Sequence, residues 1–217
     1  MTVRVLRAAK RPTTAWLNGG GVTREVASAP AGAAPGDFDW RVSLADVGRG
    51  GPFSVFPGVD RVITLVEGAG MALTVAGGAH VLDHPYHPFA FPGDADTGCR
   101  LLGGPVVDLN VMTRRGRATA TVGIVRSGRP PSGDGTDTAA VRDAPAGTAP
   151  SAGTAPSAGT ELSAGAVRLL VCLAGAATLE SAGITLGRFD AVLLEEGGPD
   201  LLRVDGVTAV VTFGPAG

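Results

Sequence analysis

The segment Ile63–Val75, ITLVEGAGMALTV, contains the pattern that decides the fold. Two short apolar runs, ITLVE and MALTV, flank the turn Gly68-Ala69-Gly70, which is typical of a β-strand followed by a returning strand. The segment Leu169–Glu180, LLVCLAGAATLE, has the same order of strand, glycine turn and strand. This repetition predicts that the chain contains two related β-rich halves.

Other short segments extend this pattern outward from the repeat. They are bounded by Gly, Pro or Asp and include FDWRVSLA (38–45), RVITLVE (61–67), AHVL (79–82), HPFAF (87–91) and VVDLNVM (106–112). Such spacing favours a sandwich or barrel over βαβ units. HPFAFPGD (87–94) and RFDAVLLEE (188–196) also occupy matching places after the two repeated segments. We therefore predict an all-β protein with two small, related β-barrels.

The composition changes abruptly between residues 127 and 165. The sequence SGRPPSGDGTDTAAVRDAPAGTAPSAGTAPSAGTELSAG has almost no bulky apolar residue and contains APSAGT twice. Such a segment buries too little apolar surface to offset the entropy of ordering it. We predict a flexible linker at 127–165, between an N-terminal barrel at 1–126 and a degenerate C-terminal half at 166–217.

The composition indicates a globular protein without a strongly charged surface. The 217 residues are 44% hydrophobic and carry a formal net charge of −2, which argues against nucleic-acid and membrane partners. Cys99 and Cys172 are too far apart to predict a disulfide framework or a CxxC metal site. The N-terminus lacks the apolar core of a signal peptide, and no window reaches the roughly 20 apolar residues of a membrane span. We therefore expect a cytoplasmic protein.

The three consecutive glycines of WLNGGGVTREV (16–26) raise the question of a phosphate-binding loop. A Walker loop requires Lys-Ser or Lys-Thr after its glycines, and a dinucleotide fingerprint requires a glycine where Arg24 stands. VTREV instead alternates as a strand does, and Asn18-Gly19 tolerates the positive φ of a tight turn. We predict a two-stranded hairpin at a barrel mouth, with at least one of Trp16, Asn18, Thr23 and Arg24 facing a pocket.

Alternation along two strands predicts which polar side chains meet inside the first barrel. Arg41 and Ser43 share one face of FDWRVSLA, and Asp108 and Asn110 share one face of VVDLNVM. The opposite faces are apolar and can pack between sheets, so these four residues are candidates to line a polar lumen. Polar groups in such a place need partners. The partner is either a ligand or another residue of the set, as in an Arg41–Asp108 ion pair.

Further side chains near these strands suit the recognition of a small anionic molecule. Arg24, Arg41 and Arg61 offer guanidinium groups for bidentate binding of a carboxylate. Polar side chains can orient the rest of the ligand, and Trp16 can form an aromatic wall. The complete candidate set for ligand binding is Trp16, Asn18, Thr23, Arg24, Arg41, Ser43, Arg61, Asp94, Asp108 and Asn110.

The histidines and cysteines form no recognisable metal or catalytic motif. His80, His84 and His87 lie close together, but none of them forms an HxH pair that would point two imidazoles to one face of a strand, and no glutamate follows at ligand spacing. We therefore predict no metal site and no cofactor. A buried carboxylate beside an arginine, such as Glu25, Asp94 or Asp108, would suit acid–base chemistry. The residues alone leave open whether the chain is an enzyme, and binding without catalysis is the preferred interpretation.

Five ordered motifs, WLNGGGVTRE, FDWRVSLA, GPFSVFPGVDR, PFAFPGD and DLNVMTR, resemble the HutD/Ves family of bicupin-like proteins. They cover nearly all of residues 1–126, and the likeness extends more loosely to the C-terminal half. The resemblance implies two cupin-like, jelly-roll β-barrels in one chain, an arrangement called a bicupin. Leu17 stands where family members usually have Lys or Arg, so a basic residue's role is lost there. The Pro/Ala/Gly/Thr-rich insertion is also not part of the family pattern.

The resemblance implies an association with histidine utilisation, a pathway that the family is thought to moderate. Its plausible ligands are urocanate and N-formylglutamate. The leading hypothesis is a metal-independent protein that binds such a small anionic metabolite, and a homodimer is compatible with the sequence. One alternative is a metal-independent cupin enzyme, an isomerase or hydrolase that acts on the same metabolite. The other is a structural or interaction module whose arginines pair internally.

Overall fold

The structure, a computed structural model, describes residues 2–34, 36–127, 138–141, 160–162, 166–195 and 200–216, with the backbone alone at 138–141, 160 and 161. The described regular structure is β-strand apart from one 3-10 turn at Ala8–Lys10. No helix in these ranges has the length and apolar character needed to cross a bilayer. The chain divides into two compact units. The N-terminal unit is built on 11–119, and the C-terminal unit on the described residues of 1–10, 120–140 and 145–214.

The described residues form eighteen strands. The first nine are β1 (Thr2–Leu6), β2 (Thr13–Ala15), β3 (Gly21–Ala29), β4 (Trp40–Val47), β5 (Gly51–Pro52), β6 (Val59–Glu67), β7 (Met71–Val75), β8 (Gly78–Leu82) and β9 (Pro88–Pro92). The others are β10 (Thr97–Leu101), β11 (Val106–Arg114), β12 (Ala118–Arg126), β13 (Thr138–Val141), β14 (Thr160–Leu162), β15 (Val167–Leu179), β16 (Ile184–Leu186), β17 (Ala191–Glu195) and β18 (Asp200–Pro215).

The N-terminal unit contains two sheets with a core between them. Its six-stranded sheet has the order β2-β3-β4-β11-β6-β9, and its four-stranded sheet has the order β5-β10-β7-β8. The core contains Ile63 and Leu65 from the first sheet and Met71 and Leu73 from the second. The described strands of this unit are not joined by hydrogen bonds into a closed barrel. The all-β prediction is therefore confirmed, whereas closure of the barrel is not observed.

The segment 63–75 connects the two sheets of the N-terminal unit. Strand β6 pairs with β11 and β9, whereas β7 pairs with β10 and β8, so the two strands do not pair with each other as a hairpin would. In the C-terminal half, the matching segment 169–180 contains no turn between two strands. Nearly all of it belongs to the single strand β15, whose register on β18 shifts between Cys172 and Ala174. The register shift precedes Gly175, where the sequence predicted a turn, and the strand continues through that glycine within one sheet.

The C-terminal unit contains one eight-stranded sheet with the order β1-β17-β15-β18-β12-β13, to which β14 and β16 also pair. Its core includes Leu170, Cys172, Val192 and Leu194. The N-terminal strand β1 pairs with β17 in this sheet, with Thr2 opposite Glu195. The chain therefore begins in the unit that also contains its C-terminal half.

The division into units differs from the sequence-based domain boundaries. Residues 1–126 were predicted to form the first domain, but 1–10 and 120–126 belong to the C-terminal unit. The difference arises because strand pairing joins segments that are distant in sequence, which local patterns do not reveal. The predicted linker at 127–165 lies largely outside the described residues. Two of its short segments are described as the strands β13 and β14.

Candidate anion-binding site

Neighbouring strands of the six-stranded sheet present polar side chains on one face. In the antiparallel pairing of β4 with β11, Ser43 lies opposite Asn110 and Ala45 lies opposite Asp108. Directly opposed residues point to the same face, and Ala45 belongs to the core between the two sheets. Arg41 lies two residues before Ser43 on β4, and it therefore points to the same face. These four polar residues therefore lie on one inner face of the sheet.

Arg61 lies on β6, opposite Met112 and on the same inner face. Its side chain is buried, with 5% of the residue exposed. Its Nε donates to Asn110 Oδ1 at 3.5 Å, a contact at the upper limit for a hydrogen bond. Within the described ranges the two terminal nitrogens donate to no protein acceptor. The guanidinium is thus a buried cation whose two terminal nitrogens bind no acceptor of the described protein.

Three phenylalanine rings surround the Arg61 guanidinium. Its carbon lies 5.2 Å from the ring centre of Phe53, 5.7 Å from that of Phe56 and 5.0 Å from that of Phe91. Cations within about 6 Å of an aromatic face are attracted to it. Gly93, in the FPGD motif, leaves room for the stem, because a Cβ there would lie 3.3 Å from both Cγ and Cδ of Arg61. The side chain is therefore fixed in place without a carboxylate partner.

Asp108 is the second buried charged group on this face, and only 2% of it is exposed. Its carboxyl group accepts no hydrogen bond from the described residues, and no oxygen of it lies within 4.0 Å of an Arg61 nitrogen. Burial raises the pKa of Asp108 to about 7, Arg61 opposes the rise, and Asp46 adds to it. Burial likewise lowers the pKa of Arg61 to about 10, against the attraction of Asp108. At neutral pH Arg61 is charged and Asp108 is near its midpoint.

The Asp108 oxygens and the terminal Arg61 nitrogens each keep a small solvent-accessible surface, because none of them is a fully inaccessible atom without a hydrogen-bond partner. Cys99, on the facing sheet, interacts electrostatically with Asp108. Burial and the charge of Asp108 raise the pKa of the Cys99 thiol to about 11. The thiol is therefore protonated at neutral pH and is not a nucleophile. The arrangement places one cation and one titrating acid on the same inner face.

Arg41 already has a protein partner, unlike Arg61. Its Nε donates to Glu25 Oε2 at 2.8 Å, and the second oxygen of Glu25 accepts from Ser28 Oγ at 2.9 Å. The predicted alternative of an Arg41–Asp108 ion pair is therefore wrong, because the ion-pair partner of Arg41 is Glu25 on the adjacent strand. Ser43 lies between these two sets, buried and opposite both Glu25 and Asn110.

Two predicted site residues lie outside the inner face. Arg24 forms an ion pair with Asp46, and both point away from the core because they alternate with Thr23 and Ala45. Asp94 follows β9 and receives two hydrogen bonds from Arg115, at 2.7 and 3.1 Å. Arg115 holds the pKa of that carboxyl below its ordinary value. The structure does not bring Arg24 or Asp94 to Arg61.

The glycine triplet forms the predicted hairpin between β2 and β3. Gly19 has a φ of 65°, and the Asn18 side chain accepts from the amide of Gly20 at 2.9 Å, so Asn18 serves the turn. A Cβ on Gly21 would lie 2.4 Å from the carbonyl oxygen of Asp46, so the close approach of β4 requires a glycine there.

The side chains of this hairpin fill the end of the core. Trp16 Nε1 donates to Thr23 Oγ1 at 2.8 Å, and the Trp16 ring packs against the core. Thr23 lies opposite Ala45, so it points to the inner face as the hairpin prediction required. Asn18 therefore serves the turn, whereas Trp16 and Thr23 lie together on the inner face.

A separate cleft of about 480 Å³ contains the three histidines. It lies between β8 and the start of β9, where His80 and Phe89 have ring centres 4.7 Å apart. His84 Nδ1 is 2.6 Å from Asp83 Oδ1. No group of three or more His, Cys, Asp or Glu suited to a metal ion occurs among the described residues. None of the predicted ligand-binding residues lines this cleft.

Strand alternation does not show which residues support Arg61. Phe53 and Phe56 come from the loop after β5, and Phe91 and Gly93 come from the end of β9. A signal was present, since GPFSVFPGVDR and PFAFPGD both place aromatic residues beside Pro-Gly turns near Arg61. Alternation within single strands cannot show which loop closes over a side chain.

The two sheets around a buried polar site define an all-β, cupin-like protein, and solved structures with the cupin-like fold are similar to it. The family model described as HutD matches residues 8–141, and the chain belongs to the HutD family. It is similar to HutD from Pseudomonas fluorescens SBW25, whose structure was determined in a formate condition. That match has a TM-score of 0.75 and 30% identity, and it covers 100% of both chains.

Two curated relatives extend this result. An uncharacterized 21.2 kDa protein in the hutC 3′ region of Pseudomonas putida is 40% identical over 110 residues, which are 51% of this chain and 57% of the relative. Protein Ves of Citrobacter koseri is 45% identical over 115 residues, which are 52% of this chain and 59% of the relative. The matches thus cover less than two thirds of each relative. The family is associated with the histidine-utilisation region.

Proposed function

We propose that the protein binds a small carboxylate metabolite at Arg61, without a metal, and that it moderates histidine utilisation through this binding. The observation that carries the proposal is the buried guanidinium of Arg61, whose terminal nitrogens donate to no acceptor of the described protein. A planar fork of this kind matches a carboxylate in bidentate geometry. Urocanate and N-formylglutamate are the proposed ligands.

The energetics favour a missing anion over a purely structural cation. Burying a guanidinium costs several kcal/mol unless an opposite charge and hydrogen bonds offset it. Each cation–π contact returns about 0.5 to 2 kcal/mol, and the 3.5 Å contact with Asn110 adds little. The protein therefore holds Arg61 in place but leaves its strongest interaction unmade. A ligand carboxylate would complete the set.

We propose that the two units of the chain have different roles. The N-terminal unit is the ligand-binding part of a bicupin, and the C-terminal unit has a structural role. We propose that the protein acts in the cytoplasm on a metabolite of the pathway. A homodimer is compatible with this function and is not required by it.

A second candidate function is a metal-independent isomerase or hydrolase. The observation that favours it is Asp108, whose pKa of about 7 would let it exchange a proton with a bound substrate at neutral pH. The same residue is compatible with binding alone. Calorimetry distinguishes the two, because a binding protein reaches a stable baseline whereas an enzyme continues to release or absorb heat.

The test is a titration of the wild-type protein with formate, urocanate and N-formylglutamate in the presence of a chelator. We expect at least one to bind, and Arg61→Met to weaken that binding by about 30-fold or more, as loss of a buried charged hydrogen-bond partner does. Arg100→Ala is the matched control, since this exposed arginine lies on β10. Failure of all three compounds to bind at millimolar concentration would contradict the proposal, as would equal binding by Arg61→Met.

A further inference from the structure

Asp108 shares the inner face of the six-stranded sheet with Asn110 and Arg61. Asn110, which Arg61 Nε contacts, follows Asp108 by two residues on the same face of β11. Same-face neighbours on a strand are about 7 Å apart. An Arg61 nitrogen and an Asp108 oxygen are more than 4.0 Å apart, so the two groups make no direct ion pair. Arg61 and Asp108 nevertheless interact electrostatically, so a carboxylate bound by the Arg61 guanidinium would lie within the field of Asp108.

Other charged groups around Asp108 do not substitute for a ligand. Asp46 lies on the neighbouring strand β4, where Arg24 neutralises it on the outer face. From the facing sheet, Cys99 is a neutral thiol, and His80 lies opposite Leu73 on the inner face, where its ring contacts Phe89.

The side chains that β3 and β7 place around Asp108 also do not substitute for a ligand. Strand β3 contributes Thr23, whose hydroxyl accepts from the Trp16 indole, and Glu25, which is paired with Arg41. Strand β7 contributes the apolar Met71 and Leu73. Arg61 is therefore the one cation that faces Asp108 without a carboxylate partner in the described structure.

We propose that the site takes up its carboxylate ligand together with one proton, which Asp108 holds in a carboxyl–carboxylate hydrogen bond while Arg61 forms the ion pair. This inference rests on the proposed function of Arg61. The proton comes from solvent, and no covalent bond forms or breaks. An ionised Asp108 would place a second negative charge against the ligand, so deprotonation opposes binding. Asp108 thereby selects carboxylates at lower pH and releases them as the pH rises.

The direction of the pH effect follows from the acid that must be protonated. The pKa of about 7 for Asp108 means that the unliganded site is mostly protonated at pH 6 and mostly ionised at pH 9. Binding that requires the protonated form weakens about tenfold per pH unit above that pKa. The dissociation constant for formate should therefore rise about 100-fold between about pH 6 and about pH 9.

The experiment measures formate binding by calorimetry over this pH range for the full-length wild-type protein, Asp108→Asn and His80→Asn. Asp108→Asn keeps a hydrogen-bond donor that cannot ionise, so its dissociation constant should change less than about threefold. His80→Asn should retain the wild-type dependence. At about pH 8, wild-type binding should consume nearly one proton, as measured from heats in two buffers of different ionisation enthalpy.

The outcomes separate this inference from the proposed function. Wild-type binding that is independent of pH, with no proton uptake, overturns proton coupling and leaves the Arg61 site intact. A pH dependence that disappears in His80→Asn but persists in Asp108→Asn also overturns it. Absence of formate binding at every pH, together with no effect of Arg61→Met on the other two ligands, overturns the Arg61 site itself. If Asp108→Asn does not fold, the proton count on the wild-type protein decides.

Discussion

The inner faces of the two units are filled in different ways. In the N-terminal unit, Arg61, Asp108 and Asn110 lie between the sheets, beside aliphatic and aromatic side chains. In the C-terminal unit, the core cluster consists of Leu, Val, Ala, Ile and Cys side chains, with Leu170 and Val192 at its centre. Both are compact β-structures, and the C-terminal unit also buries Arg168 and Asp200. The N-terminal set differs because the terminal nitrogens of Arg61 and the carboxyl group of Asp108 have no hydrogen-bond partner among the described residues, which supports the proposed ligand.

The described part of the C-terminal unit also contains a buried arginine, so burial of an arginine does not by itself distinguish the two units. Arg168 stands near the start of β15, opposite Leu194 and Thr212. No acid or amide occupies the opposed positions, and no set of aromatic rings surrounds it among the described residues. Burial of an arginine is therefore not sufficient to define a site. What distinguishes Arg61 is the combination of its phenylalanine cage with Asn110 and Asp108.

The largest expected effect contrasts the two interiors directly. Leu170→Ala should lower the free energy of unfolding by about 2 to 5 kcal/mol, because it leaves a cavity in a filled core. Arg61→Met, without ligand, should change it by less than about 1 kcal/mol or raise it, because it removes an unpaired buried charge. Chemical denaturation followed by circular dichroism measures both. An Arg61→Met protein as unstable as Leu170→Ala would show that Arg61 is a structural element.

The next effect concerns the pH dependence of stability. Asp108 has an unfolded pKa of 3.8 and a folded pKa of about 7, so between these values the folded state binds its proton more tightly. The wild-type free energy of unfolding should therefore decrease as the pH rises from about 4 to about 7 and then level off. The Asp108→Asn variant cannot ionise at this position, so its free energy of unfolding should not show this decrease. It should be more stable than wild type by about 2 to 4 kcal/mol at pH 8 and equal to it below pH 4.

Denaturation of both proteins at several pH values tests this sign. Chloride buffers without carboxylates are needed, so that no ligand occupies the site. If the wild type is the more stable protein at pH 8, Arg61 stabilises the ionised carboxylate more than burial destabilises it. The pKa of Asp108 would then lie below its ordinary value.

Much of the site's framework could be predicted from the sequence, because strand alternation fixes which residues share a face. Ser43, Asp108 and Asn110 were placed correctly on that basis. Arg24 was not, although the same alternation puts it on the face opposite to Thr23. The partner of Arg41 depends on pairing between strands, which a local pattern cannot supply.

The fold was predictable to a similar extent. Short strands and turns indicated an all-β chain, and five motifs identified the family. The connection of β6 to β7 across two sheets, and the pairing of β1 with β17, depend on contacts that are distant in sequence. The cage around Arg61 depends on a loop conformation, which hydrophobic periodicity does not encode.

Gly93→Ala tests whether the shape around Arg61 matters as well as its charge. The added Cβ would lie 2.8 Å from the carbonyl oxygen of Val59 and 3.3 Å from the Arg61 stem. We expect Arg61 to shift and formate binding to weaken about tenfold, as overpacking costs roughly 1 to 3 kcal/mol. Gly98→Ala is the control, because a Cβ there meets nothing within 4 Å. Equal affinity in both variants would mean that the stem's position is not critical.

The smallest effect concerns Thr208, a buried polar side chain of the C-terminal interior that lies opposite Cys172. Thr208 is fully buried there, and its hydroxyl has no partner in the described structure. Because no ligand is expected in this unit, Thr208→Val should raise the free energy of unfolding by about 1 kcal/mol, since it removes an unsatisfied polar group at constant shape. Thr97→Val is the matched control: Thr97 is equally buried but donates to the carbonyl of Ala95 at 3.0 Å, so its loss should lower stability by a similar amount. Thermal and chemical denaturation of the two variants can be compared directly. A destabilised Thr208→Val protein would mean that the C-terminal interior also depends on a polar interaction, and the contrast between the two units would then be weaker than their side chains suggest.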